Sequence, residues 1–458
     1  MDAIEPAQIY DTIIVGAGSA GSVLANRLSA DPRRTVLLLE AGGSDRHPYI
    51  VAPAGFLKTF DNPRFNWCFK TEPGDGIDRR AIHFPRGKVL GGSSAINGHL
   101  YVRGQARDYD TWAQLGNRGW SYADVLPYFR RSEDRSTGAD AFHGAGGPQH
   151  VSDIHERHPI CEAFLTGAGE LGIPRNDDYN GARQEGVGYY QRTIRNGRRL
   201  SAAHSFLRPV LGRPNLHVVT GALVTGLTMD GTRVTGLTYR RHRRVHTVRA
   251  SREVILSAGT IGSPHLLQIS GIGPPDLLRS IGVEVRHALD GVGEGLQDHY
   301  AVRVAHRVTQ PITLNERARG PRLYWEIAKW LATGRGLLAF SPAHVAAFLR
   351  SHSDLELPDL QFVFTPASYS TGVVGKLQPF PGMTSGVWQM RPHSKGFVRA
   401  QPRSASPARD STELPIGRGR SAGACRWHQM VPPVARDAGP HTLSRCRDAA
   451  RRRCHHGR

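Results

Sequence analysis

The sequence predicts an α/β protein in which a Rossmann-type dinucleotide-binding domain is joined to a second domain built on an antiparallel sheet, with the C-terminal part of that architecture incomplete. Three observations carry the expectation. The chain opens on a strand–turn–helix–strand pattern, YDTIIVGAGSAGSVLANRLSADPRRTVLLLEAGG. Strand-like alternation returns between residues 302 and 399, in DLQFVFTP, SGVWQMRP and KGFVRA. From Pro402 onward the text stops reading like a folded protein.

The first pattern resolves into elements. Thr12 to Val15 reads as a buried strand, its Ile13 to Val15 an uninterrupted apolar run of the kind a strand covered on both faces requires. Gly16, Gly18 and Gly21 then form G-x-G-x-x-G. The first glycine permits the tight turn, the second lets backbone approach a pyrophosphate, and the third seats a helix against the strand. The helix runs to about Ser29 with its N-terminus facing the phosphates. A second strand, Thr35 to Leu39, ends on Glu40, 24 residues beyond Gly16, where a carboxylate can accept hydrogen bonds from an adenosine ribose.

Irregular, Gly-rich and aromatic text follows from Ser44 to Gly104, then helical text from about Asp108 to Arg131, and a further region from Val151 to Ser201. NLHVVTGALVTGLTMDGTRVTGLTYRR reads as strands, with Asp230-Gly231 marking a hairpin turn. In REVILSAGTIGSPHLLQISGIG, Val254 to Leu256 reads as a strand returning to the first sheet and Ser263-Pro264 as the opening of a short helix. A helix is expected around Tyr324 to Leu331. There is no internal repeat.

Composition bounds the remainder. The chain has 458 residues and a formal charge of +20, which alone would suggest nucleic acid or an anionic surface as partner. The distribution argues otherwise, because residues 402–458 carry +8 and the first 401 only +12. Those last 57 residues contain 12 Arg, no Lys, Phe or Tyr, and only five Leu, Ile, Val or Phe, so they are expected to be a disordered basic tail. A shift of reading frame in GC-rich DNA near codon 401 would produce such text. Three of the five cysteines lie there, which leaves no disulfide framework in the body. The N-terminus has no apolar run to serve as a secretory signal, and no stretch of about 18 apolar residues suggests a membrane span. A cytoplasmic protein, with peripheral membrane association as an option and no nucleic-acid partner, is the expectation.

A second motif, RGKVLGGSSAINGHLYVRGQARDYDTW, is by itself a Gly-rich loop whose Gly91 to Ser94 can supply close backbone donors and whose Asn97-Gly98 peptide leaves room for a ring. Gly87, Leu90, Gly91-Gly92-Ser93-Ser94, Ile96-Asn97, Tyr101, Gly104 and Asp110 resemble the first signature of the glucose-methanol-choline (GMC) oxidoreductases, and GTIGSPHLLQISGIG, from Gly259 to Gly273, resembles the second. NWCFKTEP, WSYADVLPYFRRSE and GVGEGLQDH extend the similarity to the choline and alcohol dehydrogenase branch, over about residues 10 to 400.

That resemblance implies an FAD-binding domain at 1–150 and 202–300, a partial substrate domain at 151–201 and 301–401, and the tail at 402–458. It implies FAD with its ADP part on Gly16, Gly18, Ser19, Ala20, Gly21, Glu40 and Ala41, its flavin ring beside Gly91, Gly92, Ser93, Asn97, Gly98 and His99, and a backbone contact from Val224 to the adenine. Some members attach the flavin through a His preceding the motif Asn; Ile96 stands there, so noncovalent FAD is expected. No metal is implied.

The family reaction oxidises an alcohol, with a His base taking the hydroxyl proton and the acceptor of the electrons left open. The family's catalytic His and its His or Asn partner lie beyond the point where the text changes, so no catalytic residue is assigned and the chain is expected to be inactive. His99 reads as a structural residue and His299 as a buttress of the flavin domain. Two other readings remain: a non-redox FAD-containing lyase of the same fold, and a binder of nucleic acid or an anionic surface through the tail.

Overall fold

The computed structural model describes residues 8–370, 375–401 and 416–417. The elements that frame the site are, in chain order, β1 (Gln8–Val15), α1 (Ser19–Leu28), β2 (Val36–Glu40), β3 (Gly186–Tyr189), β4 (Leu216–Thr220), β5 (Leu223–Asp230), β6 (Arg233–Arg241), β7 (Arg244–Leu256), α2 (Gly259–Ile269), β8 (Ala301–Arg307), α3 (Gly320–Thr333), β9 (Val345–Leu349), β10 (Leu360–Thr365) and β11 (Gly382–Gln389).

Two sheets organise the chain. The first runs β4-β2-β1-β7-β6-β5. Its β4, β2, β1 and β7 are parallel, and β6 and β5 add an antiparallel meander at one edge. Alternate residues of β1 and β2 serve opposite faces: Ile13, Val15, Leu37 and Leu39 pack toward Leu266 of α2, whereas Ile14, Val36 and Leu38 pack toward Ala25 of α1 and Leu207. Both faces are covered, which is why the strand text has no polar alternation. The second sheet, β8-β11-β10-β9-β3, is antiparallel throughout. One of its faces buries Phe362 and Phe364 against the helix Pro159–Glu170, with Phe364 stacked 4.3 Å from Phe164.

Several boundaries differ from expectation for identifiable reasons. β1 starts at Gln8 because its outer half pairs with Val248 to Ala250 of β7 beyond a bulge at Ser251-Arg252 of β7, opposite Asp11. The helical text at 108–131 is two helices, Ala106–Gln114 and Tyr122–Ser132, separated by Gly116 (φ +100°) and Gly119 (φ +81°). The second is opened by Ser121 and Asp124, each accepting from the other's backbone N–H. α2 begins at Gly259, not at Ser263-Pro264. The Ser263 hydroxyl instead accepts from the Ala258 N–H at 3.1 Å, and Pro264 sits inside the helix, leaving the Thr260 carbonyl without its i+4 donor. Of the expected tail, Ile416–Gly417 forms a two-residue strand on Gly396–Val398; the expectation of disorder at 402–458 otherwise lies outside the described residues.

Candidate dinucleotide-binding cleft

A cleft of about 520 Å³ opens beyond the carboxyl ends of β1, β2 and β7, where open α/β sheets bind their ligands. Gly16, Gly18, Ser19, Ala20, Glu40, Ala41, Gly92, Ser93 and Val224 line it. Its floor is a set of close backbone approaches. Gly16 has φ +94°, and a Cβ there would lie 2.6 Å from the Ser257 carbonyl oxygen. A Cβ on Gly21 would lie 1.9 Å from the Gly16 carbonyl oxygen, so Gly21 packs α1 on the turn and does not face the cleft. Gly18 differs: its nearest neighbours for a Cβ are Gly92 Cα at 3.9 Å and the Ser257 oxygen at 4.0 Å. Folding alone does not demand glycine at this position. The room it leaves is on the ligand's side.

Gly92, with φ +55°, places its missing side chain 2.7 Å from Gly18 Cα. The two glycine motifs, more than 70 residues apart in sequence, thus meet backbone to backbone. Gly91 lies behind this contact with φ +87°, its N–H donating to the Ala17 carbonyl at 2.8 Å. Ser93 is exposed toward the cleft, and its hydroxyl accepts from the Gly87 N–H at 3.1 Å.

At the other end Glu40 is buried, and its two carboxyl oxygens accept from the Ala17 N–H at 2.9 Å and the Gly42 N–H at 2.8 Å. Burial pushes its pKa up to about 7 against the opposing pull of those two N–H donors and of Lys88. Each oxygen keeps a lone pair with which to accept from a ligand hydroxyl. Val224 stands beside it in the β5–β6 ladder, paired with Tyr239.

Asn97, Gly98 and His99 do not line this cleft. A Cβ on Gly98 would lie 2.6 Å from Pro342 Cγ. His99 is buried with φ 50°; one ring nitrogen is 3.1 Å from the Ser341 hydroxyl and the other 3.1 Å from the Pro53 carbonyl. Burial, with Arg199 nearby, holds its pKa well below the usual range. Its imidazole is neutral and both nitrogens have a partner. His299 is exposed, with Nε2 2.9 Å from the Met390 carbonyl and its ring over Trp388 of β11; it attaches to the second sheet and not to the dinucleotide domain.

Arg199 carries no motif that would single it out in the sequence. Buried, it donates to the Ile50 carbonyl at 3.1 Å and to Asn97 Oδ1 at 2.8 Å, and burial lowers its pKa to about 9. It fixes the Asn97 side chain from a hairpin a hundred residues away. His265 of α2 lines the cleft and is held neutral, with burial lowering its pKa to about 4.

The glycine floor, the exposed N-terminus of α1 and a buried acid at the end of β2 define a dinucleotide site of the ADP-binding α/β type. Within that class, the sequence profile of the GMC oxidoreductases matches residues 10–301, and the chain belongs to this family. It is 43% identical over 397 residues to the oxygen-dependent choline dehydrogenase of Brucella anthropi, covering 87% of this chain and 72% of that protein. It is also 43% identical to the mitochondrial choline dehydrogenase of Homo sapiens over 78% of this chain and 61% of the human one. Among solved structures, pyridoxine 4-oxidase from Mesorbium loti superposes with a TM-score of 0.75 at 30% identity, over 89% of this chain and 75% of that one. A formate oxidase superposes at 0.78 with 25% identity, over 88% and 76%. The expectations of a GMC oxidoreductase fold and of FAD as its cofactor stand.

Proposed function

We propose that this chain is built as an FAD-dependent oxidoreductase of CH–OH groups, taking an alcohol such as choline to the aldehyde. The observation that carries the reading is the meeting of Gly18 and Gly92 over a cleft that Glu40 and Val224 close at the far end. The names of the choline dehydrogenases at 43% identity support the substrate class. Bound FAD supplies the hydride acceptor.

The residues of the chain divide the remaining work. The backbone N–H groups of Gly18, Ser19 and Ala20 would hold the pyrophosphate, since those of Gly16 and Ala17 already donate to Leu39 and Glu40; Glu40 would accept from the ribose hydroxyls and the Val224 backbone would meet the adenine. The segment from Gly91 to His99 backs the ring, with Asn97 oriented by Arg199. Ile96 offers no group for a covalent bond, so FAD is held noncovalently.

The histidines of the two Gly-rich signatures are not set up as the base: both His99 nitrogens are engaged, and burial makes His265 a weak one. Our reading is therefore that the 458-residue chain turns over poorly or not at all. It includes the division into an FAD-binding part (1–150, 202–300) and a substrate part (151–201, 301–401), a cytoplasmic location and peripheral attachment to a membrane. No helix of the described residues is long and apolar enough to cross a membrane.

The test is flavin content of the purified chain by absorbance, followed by choline oxidation with an artificial acceptor after saturation with FAD. Bound flavin with turnover far below that of a full-length choline dehydrogenase is expected. Turnover at the same level overturns the inactivity, and failure to bind FAD overturns the whole reading.

A further inference from the structure

Helix α3 breaks the usual rule for a surface helix. Its inner side is apolar as expected, with Leu323 packed on the cluster of Leu314, Leu337 and Phe340, and Trp330 donating from its indole N–H to the Gly197 carbonyl at 2.8 Å. Its outer side should be polar. Instead Tyr324, Trp325 and Leu331 are 75%, 69% and 66% exposed, and Ala328 and Ala332 are exposed between them. At 100° per residue these five side chains occupy roughly a third of the circumference. The helix is thus apolar on two faces, one of which no described residue covers.

The rim of this face is cationic. Arg322 and Lys329 follow one edge, Arg335 stands just past the C-terminal Gly334, and the hairpin carrying exposed Arg195 and Arg198 reaches the other end of the face, where Arg198 shares a surface recess with Leu331 and Thr333. Glu326, the one acid in α3, is buried, where it accepts from Arg317 at 2.8 Å and from the Leu337 N–H at 2.9 Å. No acidic side chain of the helix therefore dilutes the rim.

We propose that the outer face of α3 is the surface by which this protein docks on an anionic lipid bilayer, the helix lying in the plane of the interface. Trp and Tyr are the side chains best suited to the headgroup boundary, and arginines around an apolar stripe meet lipid phosphates. A second copy of the chain is the rival occupant, and charge argues against it. A two-fold interface presses the same patch on itself, which would set one cationic rim, with Arg195, Arg198, Arg322 and Arg335, against another of the same charge. An anionic surface complements all of them at once. The proposal deepens the peripheral-attachment part of the proposed function, yet vesicle binding needs neither flavin nor turnover, so either can fail without the other.

The test is co-sedimentation of the full chain with phosphatidylcholine vesicles with and without phosphatidylglycerol. We expect binding that requires phosphatidylglycerol, weakens with salt, and falls about tenfold or more in the triple variant Tyr324→Ser, Trp325→Ser, Leu331→Ser. Thermal melting of the variant controls for folding. Should it melt early, two further readouts decide. Brominated acyl chains should quench the wild type and not Trp325→Phe, and Arg195→Gln with Arg198→Gln and Arg322→Gln should weaken binding at low salt. Failure of the wild type to bind overturns the proposal. So does equal binding by the triple variant, which would place the contact elsewhere, residues 402–458 included. A wild-type dimer that the variant dissociates, without vesicle binding, assigns the face to a second copy and overturns it as well.

Discussion

The dinucleotide cleft and the segment that links it to the second sheet are held together by different chemistry. Around the cleft the partners are backbone: Gly16, Gly21 and Gly92 touch main-chain atoms where a Cβ would stand, and the buried Glu40 is held by two peptide N–H groups. In the linking segment the partners are side chains. His143, buried, has Nδ1 3.0 Å from Glu133 and Nε2 3.0 Å from Asp178. Arg103 donates to the same Glu133 at 2.8 Å, and Gln191 to Asp178 at 2.8 Å. Burial alone would lower the His143 pKa, but hydrogen bonds and charges from Asp178 and Glu133 outweigh it and push the pKa up to about 9. A buried acid without a paired cation is driven toward neutrality, whereas a buried imidazole between two carboxylates is driven toward charge. The first arrangement leaves lone pairs for a ligand; the second spends them on the fold.

The largest loss should come from breaking the side-chain network. His143→Ala leaves Glu133, 0% exposed, with one cation fewer and Asp178 with none at that site, and should cost about 3–5 kcal/mol in urea unfolding at neutral pH. The pH dependence follows from the raised pKa. The contribution is complete below the unfolded value of 6.5 and is lost as pH rises through about 9. Wild-type stability should therefore fall across that window, and the variant's should not. A flat wild-type profile would mean that the imidazole is not charged at neutral pH.

Gly21→Ala comes next. Its Cβ would stand 1.9 Å from the Gly16 carbonyl oxygen, a contact with backbone that cannot swing aside, so α1 must leave the sheet. About 3 kcal/mol of destabilisation is expected by chemical denaturation, with flavin binding lost in proportion to unfolding. Native stability in this variant would show that the turn is looser than drawn.

These two sites differ in how far they could be read in advance. Gly16, Gly18, Gly21 and Glu40 sit within one short stretch, and each answers a local demand of strand, turn and helix, so the spacing alone carries the geometry. Gly92 was recognisable as a motif residue, but its approach to Gly18 depends on a chain reversal that nothing local encodes. The network of Arg103, Glu133, His143, Asp178 and Gln191 spans 89 residues and leaves no periodic trace. Arg199, which orients Asn97, is one of two adjacent arginines in NGRRLS, and only the fold distinguishes it from its exposed neighbour Arg198. The outer face of α3 went unread for a related reason: the text gives an apolar helix but not which side is buried.

Glu40 offers a subtler test, because its pKa is raised where most paired carboxylates are lowered. Burial is the dominant cause and moves it from 4.5 to about 7. Between those values the folded protein binds the extra proton, so stability should fall as pH rises from about 4.5 to about 7 and then level off, by about 3 kcal/mol. Glu40→Gln should flatten this slope while leaving the window above 6.5, governed by His143, as it was. If both variants alter the same window, the two regions are coupled and the contrast between them is wrong.

The smallest change in stability belongs to Gly18→Ala, and it isolates binding from folding. Alanine can adopt the backbone at this position, φ −72° and ψ −160°, and a Cβ meets nothing closer than Gly92 Cα at 3.9 Å. Unfolding free energy should stay within about 0.5 kcal/mol of wild type. The methyl group nonetheless projects where the pyrophosphate must approach the backbone, so flavin retained through gel filtration should drop about tenfold or more, equivalent to about 1.4 kcal/mol of affinity. Gly21→Ala should lose stability and ligand together, whereas Gly18→Ala should lose ligand alone. Were Gly18→Ala to keep its flavin, the pyrophosphate could not lie against the Gly18 backbone, and the cofactor placement proposed above would have to be redrawn from Glu40 inward.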